Sequence, residues 1–167
     1  TTAALVSSRT LFSAGKNCLV NHLEINNLRE IKMSKSIKDI EGIGPKYAEL
    51  LQQAGISTTE KLLEAGSTRV GRKALAEKTA ISEKMILTWV NMSDLFRING
   101  IAGQFAELLE GAGVDTVKEL RNRNAENLVA KMAEVNNEKK LCKVSPGLTV
   151  VIKWIDQAKN LPPMVSY

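Results

Sequence analysis

The sequence predicts an all-α protein built from two similar helical units. The first observation is an internal repeat, in which residues 40–62 return as residues 98–120. The second is the composition, because Ala, Leu, Glu and Lys dominate the chain and favour helices. The third is the absence of the alternating runs of Val, Ile, Thr and Tyr that strands require. The repeat therefore indicates two units of about 60 residues that share an interface.

The repeat aligns without gaps over 23 positions, of which 11 are identical. Tyr47 is replaced by Phe105 at one of the others. Trp89 and Trp154 form a later pair 65 positions apart, so the second copy has gained about seven residues. Both lie among apolar neighbours at helical spacing, which favours packing in the core over base stacking. We therefore expect a first unit at residues 33–96 and a second unit at residues 97–167, related by internal duplication.

Residues 1–32 have no counterpart in the repeat, and three interpretations stay open. In the first, the native chain starts at Met33 and the upstream stretch is non-native. In the second, the stretch is a targeting segment or its remnant, since residues 1–23 contain Ser, Arg9 and Lys16 but no acid. In the third, it is an accessory helix that packs on the domain through Leu19 and Leu23.

Charge and cysteine content restrict the class of protein. The net charge is +5, but residues 33–96 carry 9 basic and 8 acidic groups and residues 97–167 carry 10 and 8. Bulk charge therefore argues only weakly for a polyanionic partner. Cys18 and Cys142 indicate reduced thiols in an intracellular protein, and no apolar run approaches the ~20 residues that span a bilayer. We expect no membrane partner and a cytoplasmic location, or an organelle matrix or stroma if residues 1–32 are a targeting remnant.

Caps and glycine stops define five helices in the first unit. Ser36 caps the first helix and Gly42 ends it, after which Pro45 suits the first position of the second helix. Gly55 ends that second helix, and Ser82 caps the fifth. The predicted helices cover residues 37–41, 45–54, 59–65, 69–79 and 83–91.

The second unit follows the same order with one longer segment. A glycine turn at residues 100–103 opens its second helix, and Asn124 caps its fourth. Residues 136–140 hold most of the extra length, and Pro162 follows the last helix. The predicted helices cover residues 94–98, 104–112, 116–121, 125–134 and 148–161.

The turn before the second helix of the first unit has the composition of an anion-binding site. Gly42 and Gly44 flank an apolar Ile43, and glycine has no side chain to hold a phosphate away. The first amides of the following helix have no partner within it and lie at the positive end of its dipole. Lys46 adds a positive charge. The pattern predicts contact with a nucleic-acid backbone, and a purely structural turn is the alternative.

These residues resemble the helix-hairpin-helix motif of DNA repair and recombination proteins. Residues 40–55 have its order of apolar residue, Gly, apolar residue and Gly, followed by Ala, Leu and Gly at the motif's spacing. Residues 36–167 are also similar to a bacterial family of tandem helix-hairpin-helix proteins that is a domain of unknown function. The resemblance implies two tandem helix-hairpin-helix (SAM-like) units of about five short helices each. It also implies non-specific DNA binding through the hairpin amides of Gly42, Ile43 and Gly44.

The other turns and the nearby basic residues are weaker candidates for the same role. The second turn keeps Gly100 and Gly103, but Ala102 stands at the position of the second glycine and Gln104 at that of the lysine. Two further predicted turns are weaker still, since residues 80–82 lack both glycines and residues 144–147 include a proline, which has no N–H to donate. Only the first of the four predicted turns therefore has every feature that phosphate binding needs. Basic side chains near the turns either flank a phosphate path or form a solvated face: Arg69, Arg72, Lys73 and Lys84.

The sequence does not support catalysis, a metal site or a cofactor. The chain has a single His, and no pair of Cys or His lies at metal-ligand spacing. It contains no full phosphate-loop pattern. Two non-enzymatic functions remain. One is sequence-independent binding of double-stranded DNA, and the other is a protein-interaction or scaffold module in which degenerate hairpins only pack.

Overall fold

The computed structural model of the chain describes residues 35–167, which belong to one compact unit, Ser34–Tyr167. These residues contain eight α-helices, a single 3-10 turn at Ile37–Asp39 and no β-strand. The all-α prediction is therefore confirmed for this part of the chain. The interpretations of residues 1–32 lie outside the described residues. We call residues 35–96 the first half and residues 97–167 the second half.

The eight helices of the described residues follow one another through short connections. Most predicted bounds agree to within two residues, and the prediction for residues 69–79 agrees at both ends. The first predicted helix, 37–41, is only the 3-10 turn, because Ile40 already has extended dihedral angles. The helices are α1 Pro45–Gln53, α2 Thr59–Gly66, α3 Arg69–Thr79, α4 Glu83–Leu95, α5 Gly103–Gly111, α6 Val117–Leu120, α7 Ala125–Lys139 and α8 Leu148–Lys159.

Side-chain caps account for where most of these helices begin. Thr58, Thr68 and Ser82 each accept a hydrogen bond from the backbone N–H three residues later, at the starts of α2, α3 and α4. Thr116 and Asn124 do the same for α6 and α7. The starts of α1, α5 and α8 have no such bond, since Gly, Ala and Gly stand at their cap positions. The first backbone N–H groups of these three helices therefore have no side-chain acceptor at the cap position.

Helix α4 is longer than predicted and runs into the junction of the two halves. The predicted end at residue 91 and the separate helix at 94–98 were wrong. No Gly or Pro interrupts the helix there, and the Ser93 hydroxyl donates to the Trp89 carbonyl within it at 2.8 Å. Asp94 is fully buried; its carboxylate accepts from the Val117 N–H at 2.9 Å and pairs with Arg97 at 2.7 Å. These contacts with the second half hold the extra turn in helical form.

Helix α7 also extends past its predicted end at residue 134. Residues 136–139, expected in a connecting segment, form its last turn. Asn136 is buried there, and its amide nitrogen donates to the Cys142 carbonyl at 3.0 Å and to Ser145 Oγ at 3.1 Å. Its amide oxygen accepts from the Cys142 N–H at 2.8 Å. The additional residues of the second half therefore lengthen a helix.

The two halves have matched aromatic contacts at positions that the sequence repeat pairs. Tyr47 of α1 packs on Trp89 of α4 with ring centroids 5.3 Å apart, and Phe105 of α5 packs on Trp154 of α8 at 5.4 Å. The interplanar angles are 57° and 55°, and both tryptophans are buried. The prediction that the tryptophans pack in the core is confirmed. The duplication itself stays a prediction.

Candidate nucleic-acid interface

The first turn, residues 40–46, leads the chain from the 3-10 turn into α1. Gly42 has φ +87°, a left-handed value that side chains rarely adopt, so this position needs glycine. Ile43 is buried beneath the turn, and its N–H donates to the Ile40 carbonyl at 3.2 Å. The Ile43 amide is thus already used within the fold. The candidate phosphate donors are the amides that follow it.

The open donors of the first turn are the first amides of α1. The N–H groups of Gly44, Lys46 and Tyr47 have no acceptor among the described residues. Pro45 has no N–H, and the helical pattern begins with the Ala48 N–H, which donates to the Gly44 carbonyl at 3.0 Å. Gly44, Pro45 and Lys46 are exposed. The turn therefore presents three unpaired N–H groups at the positive end of a helix dipole.

Gly44 is a glycine that the fold does not require. Its φ of −74° is ordinary for any residue, and a Cβ placed on it would meet no atom of the described residues within 4 Å. The repeat-paired position in the second half is Ala102, whose backbone is similarly extended (ψ 178° against 174°). The missing side chain at Gly44 thus leaves the first amides of α1 uncovered.

The indole of Trp89 lies directly behind the first turn. A Cβ on Gly42 would lie 3.3 Å from Nε1 of Trp89, and a Cβ on Gly100 would lie 3.1 Å from Nε1 of Trp154. Sequence reasoning assigned both tryptophans to the core and missed this contact. The repeat could have indicated this contact, because each half has one glycine at the same turn position and one tryptophan at the matching later position.

The second turn, which ends at Gly103, has a similar backbone but different neighbours. Gly100 has φ +93°, so it too is required by the turn. The ammonium of Lys35 donates to the Ile101 carbonyl at 2.9 Å. A Cβ on Gly103 would lie 3.1 Å from the carbonyl oxygen of Asp39. Turn geometry and packing against the first half therefore explain both glycines.

Three carboxylates lie along or just beyond the helix that follows the second turn. Burial raises the pKa of Glu110 in α5, the carboxylates of Asp115 and Glu107 raise it further, and the ammonium of Lys139 lowers it. The residues that the repeat pairs with Glu110 and Asp115 in the first half are the neutral Gln52 and Ser57. The surroundings of α5 are therefore more acidic than those of α1, at the end of the helix away from the turn.

Arg72 has a structural role that excludes it from the interface. Only 4 % of its surface is exposed. Its guanidinium donates to the carbonyls of Gly66 at 2.9 Å, Ser67 at 3.3 Å and Ser166 at 2.8 Å. These bonds satisfy the end of α2 and hold the C-terminal segment against the first half. Arg72 is therefore removed from the predicted phosphate contacts.

The other three basic candidates are exposed, as a phosphate contact requires: Arg69, Lys73 and Lys84. Arg69 and Lys84 line one shallow cavity of about 280 Å³, together with the buried Arg72 and with Glu83, Leu87 and Tyr167. The structure thus brings three of the four predicted cations to that cavity, two of them exposed. Its lining includes no residue of the first turn, so the cavity and the turn are separate features.

The described part of the chain is thus all-helical, with a first turn exposed at the start of α1 and a second turn that packs against the first half. Residues 41–161 match the family described as domain of unknown function DUF4332. This range covers most of the chain, and the protein belongs to that family. No curated protein and no solved structure matches the chain. None of the described helices is long and apolar enough to cross a membrane.

Proposed function

We propose that this protein binds double-stranded DNA without sequence preference, through the first turn and the start of α1. The observation that carries the proposal is the set of open N–H groups at Gly44, Lys46 and Tyr47, beside a glycine that the fold does not need. Backbone amides at a helix start contact phosphate oxygens and read no base. In this proposal the turn works as a helix-hairpin-helix motif, which its residues resemble.

The charges at the turn support a phosphate ligand, with one opposing group. Lys46 is exposed on the first turn of α1, where its ammonium adds a charge-assisted contact. Glu41 is exposed next to Gly42 and repels an anion. We therefore expect weak, salt-sensitive binding, in the range of roughly 10⁻⁴ to 10⁻⁶ M that is typical of non-specific complexes.

Exposed basic side chains away from the turn supply the remaining phosphate contacts of the proposal. The candidates whose side chains are exposed to solvent are Arg69, Lys73 and Lys84. Each phosphate that a cation neutralises contributes about −0.9 to the slope of log K against log[salt]. Gly100 and Gly103 are left out of the proposal because the fold accounts for both of them.

The test is a titration of fluorescent double-stranded DNA with the full chain at roughly 50 and 200 mM salt. Between these concentrations the affinity of a complex held by phosphate contacts falls steeply. The decisive variant is Gly44→Asp. Aspartate is a preferred helix cap, so its carboxylate occupies the open amides of α1 without unfolding the helix. The matched control is Ala102→Asp, which makes the same addition at the start of α5.

We expect the wild type to bind at low salt and to lose affinity as salt rises. Gly44→Asp should abolish binding, whereas Ala102→Asp should leave it within about twofold, since no open phosphate site is proposed there. If both variants bind like the wild type, the turn does not contact phosphate. If the wild type fails to bind at low salt, the DNA-binding proposal is wrong.

A second candidate function, protein–protein interaction, is favoured by an apolar strip on α8. Leu148 and Ile152 lie four residues apart on one face and are 40 % and 43 % exposed, and Val144 before the helix is 77 % exposed. Apolar contacts are insensitive to salt, unlike phosphate contacts. A partner that stays bound at high salt to the wild type, but not to Leu148→Ser/Ile152→Ser, would support this function.

A further inference from the structure

A side-chain donor that the proposed function leaves unused lies directly behind the first turn, the indole N–H of Trp89 in α4. The side chain is 3 % exposed. Its Nε1 makes no hydrogen bond within the described residues, and the only buried side-chain polar atom without a partner there is Oδ1 of Asn91. The indole N–H is therefore both unpaired and in contact with solvent.

Gly42 is the residue that uncovers this nitrogen. Nε1 lies 3.3 Å from the place where a Cβ of residue 42 would stand, so a side chain there would cover it. Glycine leaves an opening through which an oxygen of a ligand can reach the N–H. Because the rest of the indole is enclosed by protein, an anion at this opening gains more from the hydrogen bond than it would in open water.

We propose that the indole N–H of Trp89 donates to a phosphate oxygen of the DNA backbone bound at the first turn. The inference rests on the proposed function, because the phosphate is the one held by the open amides of α1. The non-bridging oxygens of a phosphodiester accept several hydrogen bonds, so one phosphate accepts from backbone and indole together. Gly42 then has two roles, the turn geometry and access to Trp89.

Trp154 provides the internal comparison. Its Nε1 lies 3.1 Å from the position of a Cβ on Gly100, so the local geometry repeats. The second turn has Ala102 and Gln104 in place of Gly44 and Lys46, and a Cβ on Gly103 would lie 3.1 Å from the Asp39 carbonyl oxygen. The Trp154 N–H therefore lies beside its turn glycine as the Trp89 N–H does, but the proposal places no phosphate at the second turn.

The direct measurement follows the two indole N–H signals of the ¹⁵N-labelled full chain by NMR. The chain has two tryptophans, so Trp154→Phe assigns both signals. Addition of a short DNA duplex at low salt should move the Trp89 proton downfield and slow its exchange with solvent, because it becomes hydrogen-bonded. The Trp154 signal should stay in place.

The matched variants are Trp89→Phe and Trp154→Phe, which remove the same donor and a similar amount of ring packing. Trp89→Phe should bind DNA about tenfold more weakly, the effect of one hydrogen bond to a charged acceptor. The salt slope should not change, because no charge is removed. Trp154→Phe should bind like the wild type.

The outcomes separate this inference from the function on which it rests. DNA binding that leaves the Trp89 signal unmoved, or equal affinities of the two Phe variants, overturns the inference and leaves the DNA-binding function standing. Absence of wild-type binding at low salt overturns both. If Trp89→Phe fails to fold, the titration of the wild type decides.

Discussion

Substitution by alanine should destabilise the protein at Gly42 and leave its stability almost unchanged at Gly44. At Gly42, alanine would have to adopt φ +87°, at a cost of about 1–2 kcal/mol for an L residue in the left-handed region. Its Cβ would also press on Nε1 of Trp89 at 3.3 Å, which a small shift of the indole must relieve. We expect Gly42→Ala to lower the free energy of unfolding by about 2 kcal/mol.

At Gly44 neither backbone strain nor a steric contact opposes the change to alanine. The φ of −74° suits alanine, and the new Cβ would touch no atom of the described residues. The smaller entropy of the unfolded chain favours alanine by about 0.4–1 kcal/mol, and the weaker capping ability of alanine opposes it by a similar amount. Gly44→Ala should therefore stay within about 0.5 kcal/mol of the wild type.

Urea unfolding followed by circular dichroism measures both variants on one scale. With a slope of about 2 kcal/mol per M, Gly42→Ala should lower the midpoint by roughly 1 M, and Gly44→Ala should hardly move it. A loss below about 0.5 kcal/mol for Gly42→Ala would refute the argument from backbone strain. An equal loss for the two variants would refute the claim that the fold does not need Gly44.

Three further predictions concern charged groups. Arg72→Met should cost about 3 kcal/mol in urea unfolding, since it removes three buried or part-buried hydrogen bonds to backbone carbonyls; a loss under 1 kcal/mol would contradict that role. Burial raises the pKa of Asp94 above its ordinary 3.8, so the folded protein holds this proton more tightly than the unfolded chain does. Wild-type stability measured against Asp94→Asn should therefore be highest below pH 3.8 and fall as pH rises through the folded-state pKa, and an opposite slope would show that the Arg97 ion pair outweighs burial. Glu41→Gln should strengthen DNA binding a few-fold at low salt by removing the repelling charge, and a weakened complex would place the phosphate elsewhere.

The features predicted correctly from the sequence are those that depend on near neighbours. The bounds of Arg69–Thr79 follow from a capping Thr68 and from the turn that begins at Ala80, all within a few residues. The tight turn at residues 42–44 follows from its two glycines, of which Gly42 takes the left-handed conformation and Gly44 does not. Such features need no information about the rest of the fold, because the hydrogen bonds that define them are local.

The features that were missed depend on partners far away in the chain. Arg72 looks like any basic residue on a solvated face, and its burial depends on Ser166, 94 positions later. Gly103 looks like part of a binding turn, but its neighbour is the carbonyl of Asp39. Residues 91–95 carry weak helix signals, and the burial of Asp94 against α6 keeps them helical. No local pattern encodes these contacts.

Helix α4 has a consequence for how this protein can change over evolutionary time. It carries Trp89, which backs the first turn, and five residues later Asp94, which accepts from the start of α6. The two positions are about 7.5 Å apart along one helix axis. An exchange of halves that is joined between these two positions keeps Trp89 with the first turn and Asp94 with α6. Chimeras joined at residue 91 should therefore tolerate such recombination better than those joined at residue 98, which pair Asp94 of one relative with α6 of another.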